Sequence, residues 1–461
     1  VNSQLTSLLR KTPASADSSD STPKHLGWLM LTALGIGATI GAGIFVMPGR
    51  IAEKAGPAGI LSFMITGFIF LFVGICYERF ARRVPNGVSA YSYVYHSVGE
   101  IFAWIVAFGL FLEYSFGASA VAIGWSQYLK KALNYELPSF LMGPTHEHFG
   151  INIVALCAVA VVTCILIFGG VSKSAKLNFV LVCLKCGLLA VFMFAGVRHM
   201  QPQYWQPFMP SGWSGVLQGA AIAVFPYVGF DALYTFARES KSLKDTRLST
   251  YLCIGLVAFL YVAVMAIATA LAPVFVDGHI NPLFKGTEAS APLASLLMNA
   301  GETWCGQLIA AGAVIGIFNV LLVLSMGGPR IFRNMAEDGL LPSIFKKTHK
   351  GNPTFGVLLN GVIVGAMAGF VPFEEVTDIM VLGTLVAFIF VSFGALRLKL
   401  VNPLVAVIGM VGCAVLAFNL NPLVLNVYCI SCPVGLAFYF LYGRKHSKLN
   451  SAQVHPELNA T

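Results

Sequence analysis

The chain has 461 residues, of which 57% are hydrophobic and 11% charged, against about 25% charged in ordinary soluble proteins. A soluble domain of this composition would expose large apolar patches, and a disordered chain would be polar and poor in aromatics, whereas this one carries 35 phenylalanines. The net charge of +9 is spread through short loops rather than gathered on one surface, which argues against nucleic acid and leaves a polytopic membrane protein.

Residues 1–27, rich in Ser, Thr, Asp and Lys, read as a flexible cytoplasmic tail with no cleavable leader. Twelve long apolar runs follow, at 28–48, 59–78, 100–129, 151–170, 177–197, 215–237, 250–272, 304–327, 354–371, 377–396, 402–419 and 422–443. Their unbroken apolar character predicts helices and not the alternating strands of a β-barrel. Residues 444–461 form a second cytoplasmic tail. With the N-terminus inside, the inner segments hold 22 basic residues and the outer segments 6, and Lys185 alone is left within a span. That split obeys the positive-inside rule and predicts both termini on the cytoplasmic side.

Ten cysteines are present, most of them inside apolar runs. The Cys183/Cys186 and Cys429/Cys432 pairs fall within helical runs, and no second ligand pair accompanies either, so they read as small apolar neighbours rather than metal or redox sites. His146-Glu147-His148 reads as a solvated loop in preference to a surface metal site. No cofactor is implied.

Three ionisable residues fall within spans, where a charge costs at least about 2.5 kcal/mol and needs a partner or a purpose. They are Glu113 in the third span, Lys185 in the fifth and Asp231 in the sixth. A buried ion pair that fixes helix packing is one reading. Three such groups of both signs point instead to a charge-handling core that exchanges a proton during a working cycle.

Two spans are interrupted. The first contains Gly35-Ile36-Gly37-Ala38-Thr39-Ile40-Gly41-Ala42-Gly43, with four glycines in nine residues, each disfavouring a helix by roughly 1 kcal/mol relative to alanine. The sixth contains Phe225-Pro226-Tyr227-Val228-Gly229, where Pro226 removes a backbone donor and Gly229 supplies backbone freedom. Glycines at Gly37 and Gly41 also suit close helix packing. Breaks in spans one and six fall at corresponding places of two five-span halves, 28–200 and 215–400, with 401–443 as two peripheral spans. Such paired interruptions mark the binding site of a transporter built from inverted repeats. A half-helix N-terminus at Gly41-Ala42-Gly43 presents N–H groups to a carboxylate, and the opposing C-termini present carbonyls to an ammonium. A site with both ends suits an α-amino acid.

At this point the chain resembles the amino acid–polyamine–organocation superfamily, and within it the cationic amino acid transporter branch and its bacterial proton-coupled relatives. The likeness runs from about Leu31 to Arg397. It rests on Leu34 to Phe45, Ala55-Gly56-Pro57-Ala58, Val84-Pro85 with Ser89-Ala90-Tyr91 and Gly99-Glu100. It continues through Leu112-Glu113-Tyr114, Gly124-Trp125-Ser126, and Pro329-Arg330-Ile331-Phe332 with Asp338-Gly339-Leu340-Leu341-Pro342. The resemblance implies ten core helices in two inverted repeats plus two peripheral ones, and alternating access by rocking of spans one, two, six and seven. It implies that N–H groups of Gly41, Ala42 and Gly43 hold the substrate carboxylate. Carbonyls of Thr39, Phe225 and Val228 take the ammonium, and Ile40 and Gly229 complete the two unwound segments. The Phe225 ring closes over the substrate. Lys185 stands where sodium binds in relatives and holds spans one, five and eight, while Glu113, Thr39 and Asp231 match positions linked to proton coupling.

The sequence departs from that pattern at the inner mouth. Arg79 and Arg238 stand where relatives often have acids, with Glu78 one residue off, and Ser242-Leu243 replaces a common Asn-Pro. Gly328 replaces a glutamine and Phe179 an asparagine.

The resulting expectation is a sodium-independent secondary carrier of L-amino acids, a proton symporter in the plasma (inner) membrane of a bacterium, with amino acid, protons and the lipid bilayer as partners. An exchanger of amino acids or polyamines is the alternative. A sensor, or the light subunit of a disulfide-linked heteromer, fits less well, because residues 130–150 hold no cysteine for a heavy subunit. No hydrolase, zincin or Walker motif suggests an enzyme.

Overall fold

The computed structural model describes residues 26–84, 89–135, 138–144, 150–169, 175–285, 291–349 and 352–449, without the side chains of 139, 169, 175–179 and 235–239. The His146-Glu147-His148 cluster, both tails up to residue 25 and from 450, and the Phe179 and Arg238 side chains lie outside these. Among the described residues the regular structure is helical, apart from two antiparallel ribbons of two-residue strands, Phe275–Val276 with His279–Ile280 and Thr348–His349 with Asn352–Pro353.

Each apolar run contains a helix, and the two breaks fall where glycine and proline interrupt the pattern. The first run gives α1 (Trp28–Thr39) and α2 (Gly43–Ala55), followed by α3 (Gly59–Arg83), α4 (Ala90–Ser97), α5 (Glu100–Leu133) and α6 (Ile153–Cys164). Next come α7 (Ala175–Val197) and α8 (Gly212–Tyr227), the latter continued by a 3-10 helix at Phe230–Glu239. The chain goes on through α9 (Leu243–Leu271), α10 (Pro292–Asn299), α11 (Thr303–Glu337), α12 (Thr354–Phe370), α13 (Phe373–Arg397), α14 (Pro403–Phe418) and α15 (Pro422–Phe438). Among the described residues, eight helical stretches are long and apolar enough to cross a membrane, and four apolar helices are shorter, α1 among them because it stops at its break. Both Cys-x-x-Cys pairs lie on helices, α7 and α15, as their apolar setting suggested.

Helices α4 and α10 belong to none of the predicted runs, since each is only eight residues long. The Ser242-Leu243 departure has a local role. Ser242 Oγ accepts the Asp245 N–H at 3.1 Å and bonds the Asp245 carboxylate at 2.7 Å, so it opens α9 with a serine–acid box.

The helices sort into two packed groups. In one, α2 packs on α8, α3 on both α8 and α9, and α1 on α9. In the other, α5 packs most extensively on α11 and α13, with α6, α7 and α12 alongside. Small residues make the close crossings possible. A Cβ at Gly109 of α5 would lie 2.7 Å from the Gly383 carbonyl oxygen of α13, and one at Gly383 would lie 2.5 Å from that of Gly109. The two backbones therefore touch, which sets Glu113, one turn beyond Gly109, beside Thr384. Next to this crossing Ser115 Oγ donates to Asn360 Oδ1 at 2.6 Å, and Asn360 Nδ2 donates to Ser325 O at 3.1 Å. A Cβ at Gly328 would come within 2.9 Å of Asn360 Oδ1, so the glycine found in place of the family glutamine leaves room for this cross-helix pair.

At one end of the molecule buried Glu100 accepts hydrogen bonds from Tyr95 at 2.9 Å, Tyr439 at 3.0 Å and Ser447 at 2.5 Å, joining α4, α5 and the segment after α15. Gly383→Val places a branched side chain into the α5–α13 crossing. Overpacking of this kind costs about 1–3 kcal/mol, and a lower thermal midpoint of the purified protein, read by intrinsic fluorescence, is the expected result.

Candidate functional site

The first break is built by a tight turn. Ile40 adopts φ −72° and ψ 83°, and the Gly41 N–H donates to the Thr39 carbonyl at 2.8 Å. This is a three-residue turn, too tight for a helix to pass through. Helix α2 restarts at Gly43, and the Ala42, Gly43 and Ile44 N–H groups at its start have no acceptor among the described residues. The sequence had assigned a carboxylate-holding role to Gly41, Ala42 and Gly43. Of these three, Ala42 and Gly43 have N–H groups without an acceptor among the described residues, because Gly41 donates to the Thr39 carbonyl.

The second break follows Pro226, which sits in the last turn of α8. Val228 is extended at φ −60° and ψ 140°, its N–H reaching the Phe225 carbonyl at 3.3 Å. Gly229 has φ +106°, a conformation that side chains disfavour.

The two breaks meet. A Cβ at Gly43 would lie 2.5 Å from the Pro226 Cα and 3.0 Å from the Phe225 ring, and one at Gly229 would lie 2.5 Å from the Ala38 carbonyl oxygen. Residues that sequence reasoning placed on two separate spans, Thr39 to Gly43 and Phe225 to Gly229, are thus in backbone contact. Thr39, Ile40, Ala42, Phe225 and Val228 are all buried. Thr39 Oγ1 turns back to the Gly35 carbonyl at 2.8 Å and lies 4.0 Å from Cys253 Sγ of α9. A third helix joins them: the buried Tyr261 hydroxyl of α9 lies 3.1 Å from Thr39 O and 2.8 Å from Pro226 O. Sequence reasoning missed Tyr261, since a tyrosine in an apolar run carries no local signal of which carbonyl it will meet.

The three intramembrane charges divide into one and two. Lys185 is buried, and its Nζ donates to the Gly37 carbonyl at 2.8 Å. Its stem passes Gly316 of α11, where a Cβ would come within 3.0 Å. The ammonium therefore ties α7 to the helix just before the first break, with α11 on its flank. Glu113 and Asp231 instead lie within electrostatic range of one another. Glu113 faces Thr384, and its Oε2 is buried without a hydrogen-bond partner. The Asp231 carboxylate faces the N–H groups of Gly229, Ala232 and Asp231 itself, so the second break positions it. Tyr77 of α3 is within electrostatic range of both acids and has a buried, unpartnered hydroxyl. Its ring packs against Phe230 at 6.0 Å and Phe388 at 5.6 Å. Neither Glu113 Oε2 nor the Tyr77 hydroxyl has a hydrogen-bond partner among the described residues, so each has room for a proton, water or ligand.

Polar clamps flank the breaks on both sides. Beyond α2's start, Arg50 pairs with Asp378 at 3.1 Å and with Thr377, both on α13, and Tyr128 of α5 donates to the Phe45 carbonyl at 2.6 Å. Both contacts join the first packed group to the second. At the opposite end Glu78 is buried and pairs with Arg82 and, at 3.5 Å, with Arg79 of its own helix. The acid one residue away from the family position is ion-paired within α3.

A model of the family described as amino acid permease matches residues 26–449. The chain is 33% identical over 459 residues to the branched-chain amino acid permease of Bacillus subtilis, covering 95% of this chain and 97% of that one. It is 32% identical over 471 residues to the methylthioribose transporter of the same organism, covering 97% and 100%. It is also 29% identical over 396 residues to cationic amino acid transporter 4 of Mus musculus, covering 82% of this chain and 60% of that one.

Gly229→Ala forces a methyl group onto the Ala38 carbonyl at a backbone conformation that itself costs on the order of 1–3 kcal/mol for a side-chain-bearing residue. A fall in thermal midpoint together with loss of ligand-induced stabilisation is expected, and a scanning fluorimetry series across the amino acids checks both.

Proposed function

We propose a function from one premise: the chain belongs to the amino acid permease family, within the amino acid–polyamine–organocation superfamily. It is an integral membrane transporter of amino acids. It works as a sodium-independent secondary carrier of L-amino acids, by alternating access and with protons as the coupling ion. The observation that carries this reading is the meeting of two broken helices, one offering the N–H groups of Ala42 and Gly43 and the other the backbone around Phe225 to Gly229.

On this reading the Gly41 N–H and the Thr39 carbonyl, paired at 2.8 Å, separate to take the carboxylate and the ammonium of the substrate. Ala42 and Gly43 add N–H groups at a helix N-terminus, where the helix dipole also favours an anion. The carbonyls of Phe225 and Val228 face the ammonium, and the Phe225 ring covers it. Lys185 supplies a fixed ammonium to the first span, which removes the need for a sodium ion there. Glu113 and Asp231 hold the coupling proton, since two buried carboxylates in mutual range favour one shared proton over two full charges.

Residues 28–200 and 215–400 act as two inverted repeats, with 401–443 peripheral and both termini cytoplasmic, in the inner membrane of a bacterium. The packed group of α1, α2, α3, α8 and α9 rocks against the α5, α11 and α13 group. The Arg50–Asp378 pair and the Tyr128–Phe45 bond close the outer side.

Purified protein in proteoliposomes, without sodium, takes up labelled amino acids faster when the outside is made acidic. No uptake or counterflow of any amino acid overturns the transport reading. Counterflow indifferent to the pH gradient replaces symport with exchange, and competition by putrescine distinguishes a polyamine carrier. Asp231→Asn keeps the shape but removes the titrating group, so stimulation by the gradient drops to within about twofold of none; an unchanged pH profile removes Asp231 from coupling.

A further inference from the structure

A groove of about 440 Å³ opens beside the seam between α7 and α11, away from the two breaks. Towards the middle of both helices the seam is closed. A Cβ at Gly312 would lie 2.6 Å from the Leu188 side chain, and one at Gly316 would lie 3.0 Å from the Lys185 stem. At the other end His199, just past α7, lies 3.1 Å from the carboxylate of Glu302, the N-cap of α11. Between these contacts Val191, Phe194, Ala195 and Arg198 border the groove, at the i, i+3, i+4, i+7 spacing of one helix face. Three apolar side chains therefore lead to a single cation over roughly 10 Å of helix. Trp304 of α11 forms the other rim. Phe194 is 69% exposed and Trp304 72%, so both rings stand out from the protein at the end of a span, where aromatic side chains favour the bilayer interface. Arg198 has no ion pair among the described residues, and the acid that borders the groove, Glu302, is paired with His199. The Arg198 guanidinium lies over the Phe194 ring at 4.4 Å, which holds the planar fork by its face and leaves its N–H edge open.

We propose that this groove binds a glycerophospholipid, with the phosphate on Arg198 and an acyl chain along Val191, Phe194 and Ala195. The apolar wall offers nothing to a soluble anion, and the cation offers nothing to a plain hydrocarbon. A phosphate at the end of a hydrocarbon chain matches both, in the direction that a lipid already runs beside a spanning helix. Guanidinium and phosphate pair through two parallel N–H···O bonds, and basic pockets between membrane helices suit lipid head groups for this reason. The small side chains of Ala190 and Ala195 leave width for the chain. The bound lipid fills the seam between its two closed ends, and so holds α7 to α11 above the level at which Lys185 passes Gly316. The site is separate from the paired breaks, so it does not depend on which substrate the carrier moves.

Full-length protein, stripped of lipid in detergent, is mixed with dioleoylphosphatidylglycerol and followed by native mass spectrometry and thermal midpoint. A phospholipid adduct that survives dilution is expected, together with a higher midpoint, because a ligand of the folded state stabilises it. Arg198→Gln keeps a polar side chain but removes the charge, and weakens this binding about tenfold, the scale of one charge-assisted hydrogen bond. Ala190→Trp fills the groove and weakens binding as much, with Arg198 intact. Ile430→Trp, on the outward face of α15, is the control and leaves binding unchanged. All three positions are exposed, so the midpoint without lipid stays at the wild-type value and shows that each variant folds. Dioleoylglycerol, which lacks the phosphate, binds at least about tenfold more weakly, and inorganic phosphate, which lacks the chain, does not compete. Equal retention of phospholipid by the wild type and both groove variants overturns the proposal, since lipid then only coats the surface. Equal binding of dioleoylglycerol overturns it in favour of a plain apolar groove, and competition by inorganic phosphate in favour of a soluble-anion site.

Discussion

The structure depends on a backbone-to-backbone contact between two interrupted helices. Hydrocarbon offers no hydrogen bonds, so irregular backbone at membrane depth is stable only where protein encloses it. Here each break encloses the other. Gly43 lies against Pro226 and Gly229 against the Ala38 carbonyl, closer than any side chain would allow. The same contacts that let the helices stop also bring free N–H groups and carbonyls to one place. The irregularity and the binding site are one feature.

The polar groups around this contact fall into two kinds. Some have a partner within the protein: the Lys185 ammonium on the Gly37 carbonyl, the Thr39 hydroxyl on Gly35, the Arg50 guanidinium on Asp378 and Thr377. These hold helices in register and have the geometry of fixed struts. Others are left open, notably Glu113 Oε2 and the Tyr77 hydroxyl beside Asp231. Buried unpaired groups are costly, and among those of the described residues these two lie on the flank of the second break. That separation of struts from open groups divides the three intramembrane charges into Lys185 on one side and the two acids on the other.

Glycine contacts connect packing to chemistry. Gly109 and Gly383 let α5 and α13 cross at the backbone, and this crossing is what delivers Glu113 to Thr384. Gly328 clears space for the Ser115–Asn360 pair that ties α5 to α11 and α12. In a membrane, where helix association draws on van der Waals packing rather than on a hydrophobic driving force, such close approaches are the natural means of fixing a polar residue in three dimensions.

Much of this was legible in the chain. Apolar runs are set by the thickness of the bilayer, so their number and order follow from hydropathy, and the breaks follow from the local backbone preferences of Gly35 to Gly43 and Pro226 to Gly229. The three buried charges were visible for the same reason: a charged residue in a run of about 20 apolar ones has no local explanation. Sequence spacing did not reveal Tyr261 bridging both breaks, Gly41 giving its proton to Thr39, Arg50 meeting Asp378, or helices α4 and α10, which are too short for a hydropathy signal. It also grouped Lys185 with the acids, which packing separated. A sequence by itself determines where a chain must be helical, where it must break and which residues need a partner. Which partner each finds is decided by contacts between residues far apart in the chain, 328 positions for Arg50 and Asp378 and 347 for Glu100 and Ser447, and only the tertiary structure brings those together.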